Sequence, residues 1–182
     1  MNDNLDSIVY SKNVIEFVTV ANEYCKYIEH TGNEDLIVAI GKIQKFLPLL
    51  YLKASVIPQF ESVGDTGIER FVTEVEYHSL QQRIMDVLGK YDDYLELISD
   101  DLKVNDTPFL TTISENLTDI YQDLKDFLFS YRIGDEMIMK ESLWICMDSF
   151  RNYWGQKLVN SLKMIHFLIH CPEGIITNED EL

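Results

Sequence analysis

Apolar residues recur at helical spacing along most of this chain, and the pattern is clearest between Thr112 and Arg132. There the apolar positions step by four, three, four, three and four residues: Ile113, Leu117, Ile120, Leu124, Phe127 and Tyr131. This spacing keeps them on one stripe of an α-helix, so the pattern predicts a helix with one buried face. We expect Leu124 to lie in the main core.

The same period predicts four more helices. We place them over about residues 13–30, from Leu36 to Ile57, from Glu74 to Leu88, and over about residues 139–168. The last is either one helix or two collinear helices across Gly155. We expect that glycine to let another helix approach closely and the adjacent Trp154 to lie in the core.

The predicted second helix is apolar on more than one side. Its main seam keeps a heptad phase and includes Leu36, Ile40, Ile43, Leu47, Leu50, Ala54 and Ile57. Val38, Leu49 and Leu52 lie off that seam, which predicts that this helix sits centrally, with Leu47 in the core. Pro48 removes a backbone hydrogen bond and should kink the helix.

No useful strand alternation is present, and residues 91–109 fit either a short helix or an irregular segment. The predicted class is all-α, an antiparallel bundle of five to six helices. We predict one domain over residues 1–182, with loose ends at 1–10 and 172–182.

Charge and composition narrow the functions that are possible. The 182 residues include 31 acidic and 15 basic side chains, a formal charge of -16, which disfavours nucleic-acid binding. No apolar run is long enough to cross a membrane and no export signal is present. Cys25, Cys146 and Cys171 are odd in number and far apart, which indicates reduced thiols and a cytoplasmic location.

Several motifs resemble a known family. Residues 113–115 (ISE), 119–127 (DIYQDLKDF) and 153–160 (YWGQKLVN), with His166 downstream, are similar to an uncharacterised bacterial family called domain of unknown function 5063. Weaker motifs of the same family lie at 46–52 (FLPLLYL) and 87–89 (VLG). The resemblance implies an all-helical, single-domain cytoplasmic protein and carries over no catalytic residue.

One candidate site is a carboxylate ridge along the fourth helix. Its members are Glu115, Asp119, Asp123 and Asp126. Side chains four residues apart on a helix are close enough to share a divalent cation such as magnesium or manganese. The alternative, which we favour, is that no cofactor is bound and that the ridge is either neutralised by basic residues of the last helix or solvated by water. Those basic residues are Arg151, Lys157 and Lys163.

A second candidate is a polar cleft between the fourth and last helices. Opposite charges favour antiparallel packing of these helices, with Tyr121, Gln122, Tyr153 and Gln156 lining the cleft. Buried amides need hydrogen-bonding partners, so the glutamines mark a polar network, either structural or ligand-binding. His166 and His170 have zinc-helix spacing, but a pair of surface histidines at a helix C-terminus explains them more simply.

The chain contains no nucleophile elbow and no glycine-rich phosphate loop. The sequence therefore favours a non-catalytic binding or protein-interaction module, whose partner is another protein or a second copy of the chain. The alternative is a divalent-metal-dependent hydrolase, similar to the all-α pyrophosphohydrolases, that uses the carboxylate ridge.

Overall fold

The computed structural model describes residues 7–32, 34–64, 67–96 and 109–171. Within these ranges lie six α-helices: α1 (Lys12–His30), α2 (Leu36–Ser55), α3 (Glu74–Leu88), α4 (Ile113–Tyr131), α5 (Glu136–Ser149) and α6 (Gly155–His170). A π-helical segment, Phe150–Trp154, joins α5 to α6 without a break. The predicted all-α class is confirmed.

Side-chain caps set the starts of the central helices. The Thr73 hydroxyl accepts a hydrogen bond from the Glu76 N–H at 3.3 Å, and the Glu76 carboxylate accepts one from the Thr73 N–H at 3.0 Å, so α3 begins with a capping box. The Thr112 hydroxyl caps α4 through the Glu115 N–H at 3.1 Å. Both starts agree with the sequence patterns.

The central helix is α4, because α1, α3, α5 and α6 all pack against it. Leu124 and Leu47 are fully buried, as predicted. The prediction that α2 sits centrally is wrong: α2 packs against α1 and α6, while its other apolar side faces outward. Periodicity identifies apolar faces, but it cannot show which of them is covered.

A small antiparallel sheet lies before α4, where the sequence predicted no strand. Strands β1 (Asp93–Glu96) and β2 (Phe109–Thr112) pair with Asp93 opposite Thr112. The buried Asp92 carboxylate joins this sheet to α4 by accepting bonds from the Ser114 N–H at 2.7 Å and the Ser114 hydroxyl at 2.6 Å. Burial raises the pKa of Asp92.

The described part of the chain begins with a packed turn rather than a loose end. Residues Ile8–Tyr10 form a 3-10 turn in which Val9 is fully buried, and the Tyr131 hydroxyl donates to the Val9 carbonyl at 2.6 Å. The predicted loose end therefore does not extend to residue 10. Residues 1–6 and the predicted loose end at 172–182 lie outside the described residues.

The π segment explains Gly155. A Cβ atom at Gly155 would lie 2.3 Å from the carbonyl oxygen of Phe150, which is five residues earlier on the same helix. The expectation that Gly155 admits another helix is therefore wrong, because the close approach comes from its own π turn. Trp154 is fully buried as predicted, and its indole N–H donates to the Cys146 carbonyl at 3.1 Å.

Candidate binding surfaces

Asp119 is the centre of the most concentrated polar cluster on α4. Its carboxylate accepts hydrogen bonds from the Tyr77 hydroxyl at 2.7 Å and the Tyr153 hydroxyl at 2.9 Å, and it pairs with the Lys157 ammonium at 2.8 Å. Only 7% of Asp119 is exposed. Desolvation, reinforced by the Asp119 charge, raises the pKa of both tyrosines. The carboxylate therefore has hydrogen-bond donors from α3 and the π segment, and Lys157 of α6 neutralises its charge.

The cluster continues from Lys157 towards the sheet. The Lys157 ammonium also donates to the Asn116 side chain at 3.3 Å, and the Asn116 amide donates to the Tyr94 hydroxyl at 2.6 Å. Burial and the nearby Glu96 carboxylate raise the pKa of Tyr94 to about 12. Glu96 in turn accepts a bond from Asn160 of α6. This chain of bonds fixes β1, α4 and α6 together.

The other ridge carboxylates face different neighbours. Asp123 accepts a bond from the Ser149 hydroxyl of α5 at 2.7 Å, and burial raises its pKa. Asp126 accepts bonds from the backbone N–H groups of Phe71 and Val72 at 2.8 and 2.9 Å, and burial raises its pKa as well. The ridge thus connects α4 to α3, α5, α6, the π segment and the residues just before α3.

Glu115 is half-buried, and its carboxylate has no hydrogen-bond partner in the part of the chain that the structure describes. Among those residues, no group of three or more His, Cys, Asp or Glu side chains is arranged to hold a metal ion. Of the three basic residues expected to neutralise the ridge, Lys157 does so, whereas Arg151 pairs with Asp148 at 3.6 Å.

The four residues of the predicted polar cleft do not share a set of contacts. Tyr121 donates to Glu29 of α1 at 3.0 Å, whereas Tyr153 donates to Asp119. Gln156 is exposed and donates to Asn160 at 2.8 Å on its own helix; Gln122 is half-buried and makes no side-chain hydrogen bond among the described residues.

The antiparallel packing of the two helices is nevertheless present. Contacts pair Ser149 with Asp123, Tyr153 with Asp119 and Lys157 with Asn116, so the residue numbers rise along one helix as they fall along the other. The charge argument therefore found the right neighbours, although not the predicted cleft.

A groove that the sequence did not reveal lies between α1, α3 and α4. It encloses about 470 Å³, and its lining includes Arg83, Lys125, Glu29, Val75 and Phe71. Both cations already have acceptors, because Arg83 donates to the Glu29 carbonyl at 2.8 Å and Lys125 pairs with the Glu29 carboxylate. The groove brings together residues far apart in sequence, so no local motif could predict it.

His166 and His170 lie on one face of α6, with ring centroids 4.5 Å apart. His170 also lies 2.9 Å from the Gln44 side-chain amide of α2. The pair thus contributes a contact between α6 and α2.

The outward side of α2 carries a second heptad pattern. We call it the outer seam: Val38, Lys42, Lys45, Leu49, Leu52 and Val56, spaced four, three, four, three and four residues apart. The four aliphatic side chains are between 42% and 54% exposed. The inner seam on the opposite side of α2 contains Leu47, which is fully buried.

The outer seam is also locally basic in an acidic chain. Helix α2 carries three lysines and no carboxylate. Lys42 pairs with Glu34 and lies over the Tyr27 ring, and Lys53 pairs with Glu16 at 2.7 Å. Lys45 is exposed and has no carboxylate partner among the described residues.

Together these features define a small all-α protein in which three of the four ridge carboxylates on α4 bond to other segments and α2 carries a half-exposed apolar row. The chain matches the model of a family described as a domain of unknown function, DUF5063, over residues 8–170, and it belongs to that family. The resemblance seen in the sequence motifs is confirmed.

A solved structure shares this fold. The crystal structure of protein BF1032 from Bacteroides fragilis, a structural genomics target, is 39% identical with a TM-score of 0.82, over 93% of this chain and all of that one. No curated protein matches the chain significantly. No helix in the described ranges is both long and apolar enough to cross a bilayer.

Proposed function

We propose that this chain is a non-catalytic protein-interaction module that docks a partner protein on the outer seam of α2. The observation that carries this proposal is a seam of six heptad positions, four of them half-exposed aliphatic side chains and two of them lysines, the spacing that accepts a neighbouring helix. Fully burying a Val or Leu side chain is worth about 1.5–3 kcal/mol, so covering four that are half exposed contributes roughly 3–6 kcal/mol to association.

The non-catalytic part of the proposal is supported by the contacts of the carboxylate ridge. Asp119, Asp123 and Asp126 each accept hydrogen bonds that hold neighbouring segments in place. The thiols of Cys25 and Cys146 are buried, and desolvation raises their pKa values, which opposes thiolate formation.

The proposal places the module in the cytoplasm. All three cysteines are free thiols, and two of them are buried in the core, which suits a reducing compartment.

The alternative, a metal-dependent hydrolase, is opposed by the same contacts. A cation at Asp119 would have to displace the Lys157 ammonium and two tyrosine hydroxyls, and it would find Asp123 and Asp126 directed to other partners. Such a site needs several carboxylates to converge on one ion.

Site-specific photocrosslinking tests the proposed function. A photoreactive amino acid replaces Leu52, which is 54% exposed, in one variant and Met137, a 56% exposed residue of α5, in a control. Each variant is illuminated in a lysate of the organism that encodes the chain. We expect one discrete crosslinked species from position 52, absent from position 137 and lost when Leu49→Asp is added. Equal crosslinking from both positions, or none from position 52, would contradict the proposal.

A further inference from the structure

The outer seam has a basic residue near its middle, and this restricts what can cover it. Lys45 lies in register between Lys42 and Leu49. Lys42 already has Glu34 as its partner, so Lys45 is the seam cation without a carboxylate among the described residues. A helix that covers the seam would draw the Lys45 ammonium out of water, which is unfavourable unless a carboxylate meets it.

A second copy of α2 cannot supply that carboxylate. In an antiparallel pair centred on the seam, Lys45 would face Leu49 of the other copy and Lys42 would face Leu52. In a parallel pair Lys45 would face its own counterpart. Because α2 contains no acidic residue, both arrangements leave the ammonium without a carboxylate.

An anionic membrane surface fits less well than a helix. Lysines beside aliphatic residues are typical of helices that lie on membranes. Within the described residues, however, Lys45 is the one seam lysine without a carboxylate partner, whereas helices that bind anionic lipids carry clusters of several lysines or arginines. The heptad spacing also matches the ridges of another helix, whereas lipids require no such spacing.

From this charge and spacing, and resting on the proposed function of the seam, we infer that its partner is an acidic amphipathic helix. The partner helix places aliphatic residues against Val38, Leu49, Leu52 and Val56 and a carboxylate against Lys45. In coiled coils a polar residue in the apolar seam selects register and partner, and Lys45 has that role here because Lys42, the other seam lysine, is already paired with Glu34.

Synthetic helices test this inference without a known partner. Two labelled three-heptad peptides carry identical aliphatic seams and differ at one central seam position, which is Glu in the acidic peptide and Gln in the neutral one. Binding to the full chain is measured by fluorescence anisotropy. We expect saturable binding of the acidic peptide, about tenfold tighter than that of the neutral peptide.

Variants of the chain localise the effect. Lys45→Gln should remove the preference for the acidic peptide while keeping the aliphatic contacts, and Leu49→Asp should abolish binding of both peptides. Met137→Asp is the matched control for an exposed charge elsewhere and should change nothing. All three positions are exposed, and circular dichroism checks that each variant is folded.

Several results would overturn the inference. These are equal affinity for both peptides, binding of neither, a preference that persists in Lys45→Gln, a dimer in sedimentation that Leu49→Asp dissociates, and Leu49-dependent binding to phosphatidylglycerol vesicles. If the crosslink at position 52 persists while the charge preference is absent, the interaction function stands and only the acidic partner is wrong. If the crosslink is also absent, the proposed function fails as well.

Discussion

The carboxylate ridge of α4 and the outer seam of α2 differ in whether the rest of the protein covers and bonds their side chains. The carboxylate ridge has the charge density of a binding site, yet Asp119 is buried and bonded to three donors. The outer seam has the composition of a core face, yet its aliphatic residues are about half exposed. Side-chain chemistry alone therefore does not show whether a residue belongs to a binding site or to the core. The deciding factor is whether neighbouring segments satisfy the group, since a satisfied carboxylate stabilises the fold and an uncovered aliphatic row remains free to bind.

The largest expected effect is a difference in the free energy of unfolding between variants of the inner and the outer seam of α2. Leu47→Ala should lower the free energy of unfolding by about 2–5 kcal/mol because it opens a cavity in the core. Leu49→Ala, the matched control, should change it by no more than about 0.5 kcal/mol because that side chain is 42% exposed. Urea denaturation measures both values. Similar losses for the two variants would show that the outer seam contributes to folding.

A smaller loss of stability is expected when the carboxylate ridge of α4 is changed. Breaking a buried ion pair costs about 3–5 kcal/mol, but Lys157 is partly exposed and an amide can still accept from the tyrosines, so Asp119→Asn should cost about 1–3 kcal/mol. The control is Asp148→Asn, which removes the exposed pair with Arg151 and should cost less than about 0.5 kcal/mol. Equal effects in urea denaturation would mean that the Asp119 cluster does not stabilise the fold.

The pH dependence of stability tests Asp123. Burial raises its pKa in the folded state above the unfolded value, so folding favours its protonated form. The contribution of Asp123 to folding stability is therefore gained as pH falls through its folded-state pKa and lost as pH rises through it. Relative to Asp123→Asn, the wild type should become more stable as pH is lowered from 7 towards 4, as followed by thermal melts. If the wild type instead loses stability relative to the variant as pH falls, the pKa of Asp123 is not raised in the folded state.

The smallest expected effect is that of divalent cations. Titration of the wild type with magnesium or manganese should give no saturable heat in the millimolar range, because Lys157 already neutralises Asp119. Saturable heat that disappears in the variant carrying both Asp119→Asn and Asp123→Asn would restore the carboxylate ridge as a metal site and revive the hydrolase alternative.

Local patterns predicted the features that depend on nearby residues. The start of α3 at Glu74 and the burial of Leu47 and Trp154 follow from spacing within one helix. The sheet was missed because each strand has only four residues and the two are separated by residues 97–108, which lie outside the described ranges. A pairing between such short segments leaves almost no periodic signal.

The candidate sites were harder to predict because they depend on which segments meet. The ridge was found as a pattern, but the donors from Tyr77 and Tyr153 come from distant positions that no spacing rule connects to Asp119. The groove between α1, α3 and α4 is assembled in the same way. The outer seam was visible in sequence but was assigned to the core, because nothing in the pattern of α2 distinguishes a covered face from an uncovered one.

The π segment has a consequence for how this chain tolerates insertions and deletions. In a π turn the backbone hydrogen bond joins residues five apart rather than four apart. The segment Phe150–Trp154 therefore accommodates one extra residue without rotating the rest of the helix. Removing one residue there would restore a regular helix and keep Leu158 and Ile165 facing the core. Removing one residue within α6 would rotate every later side chain by about 100° and turn Ile165 out of the core. Relatives that differ in length by one residue in this helix should therefore carry the difference at the π turn, where Tyr153 meets Asp119 and Gly155 leaves room for the Phe150 carbonyl.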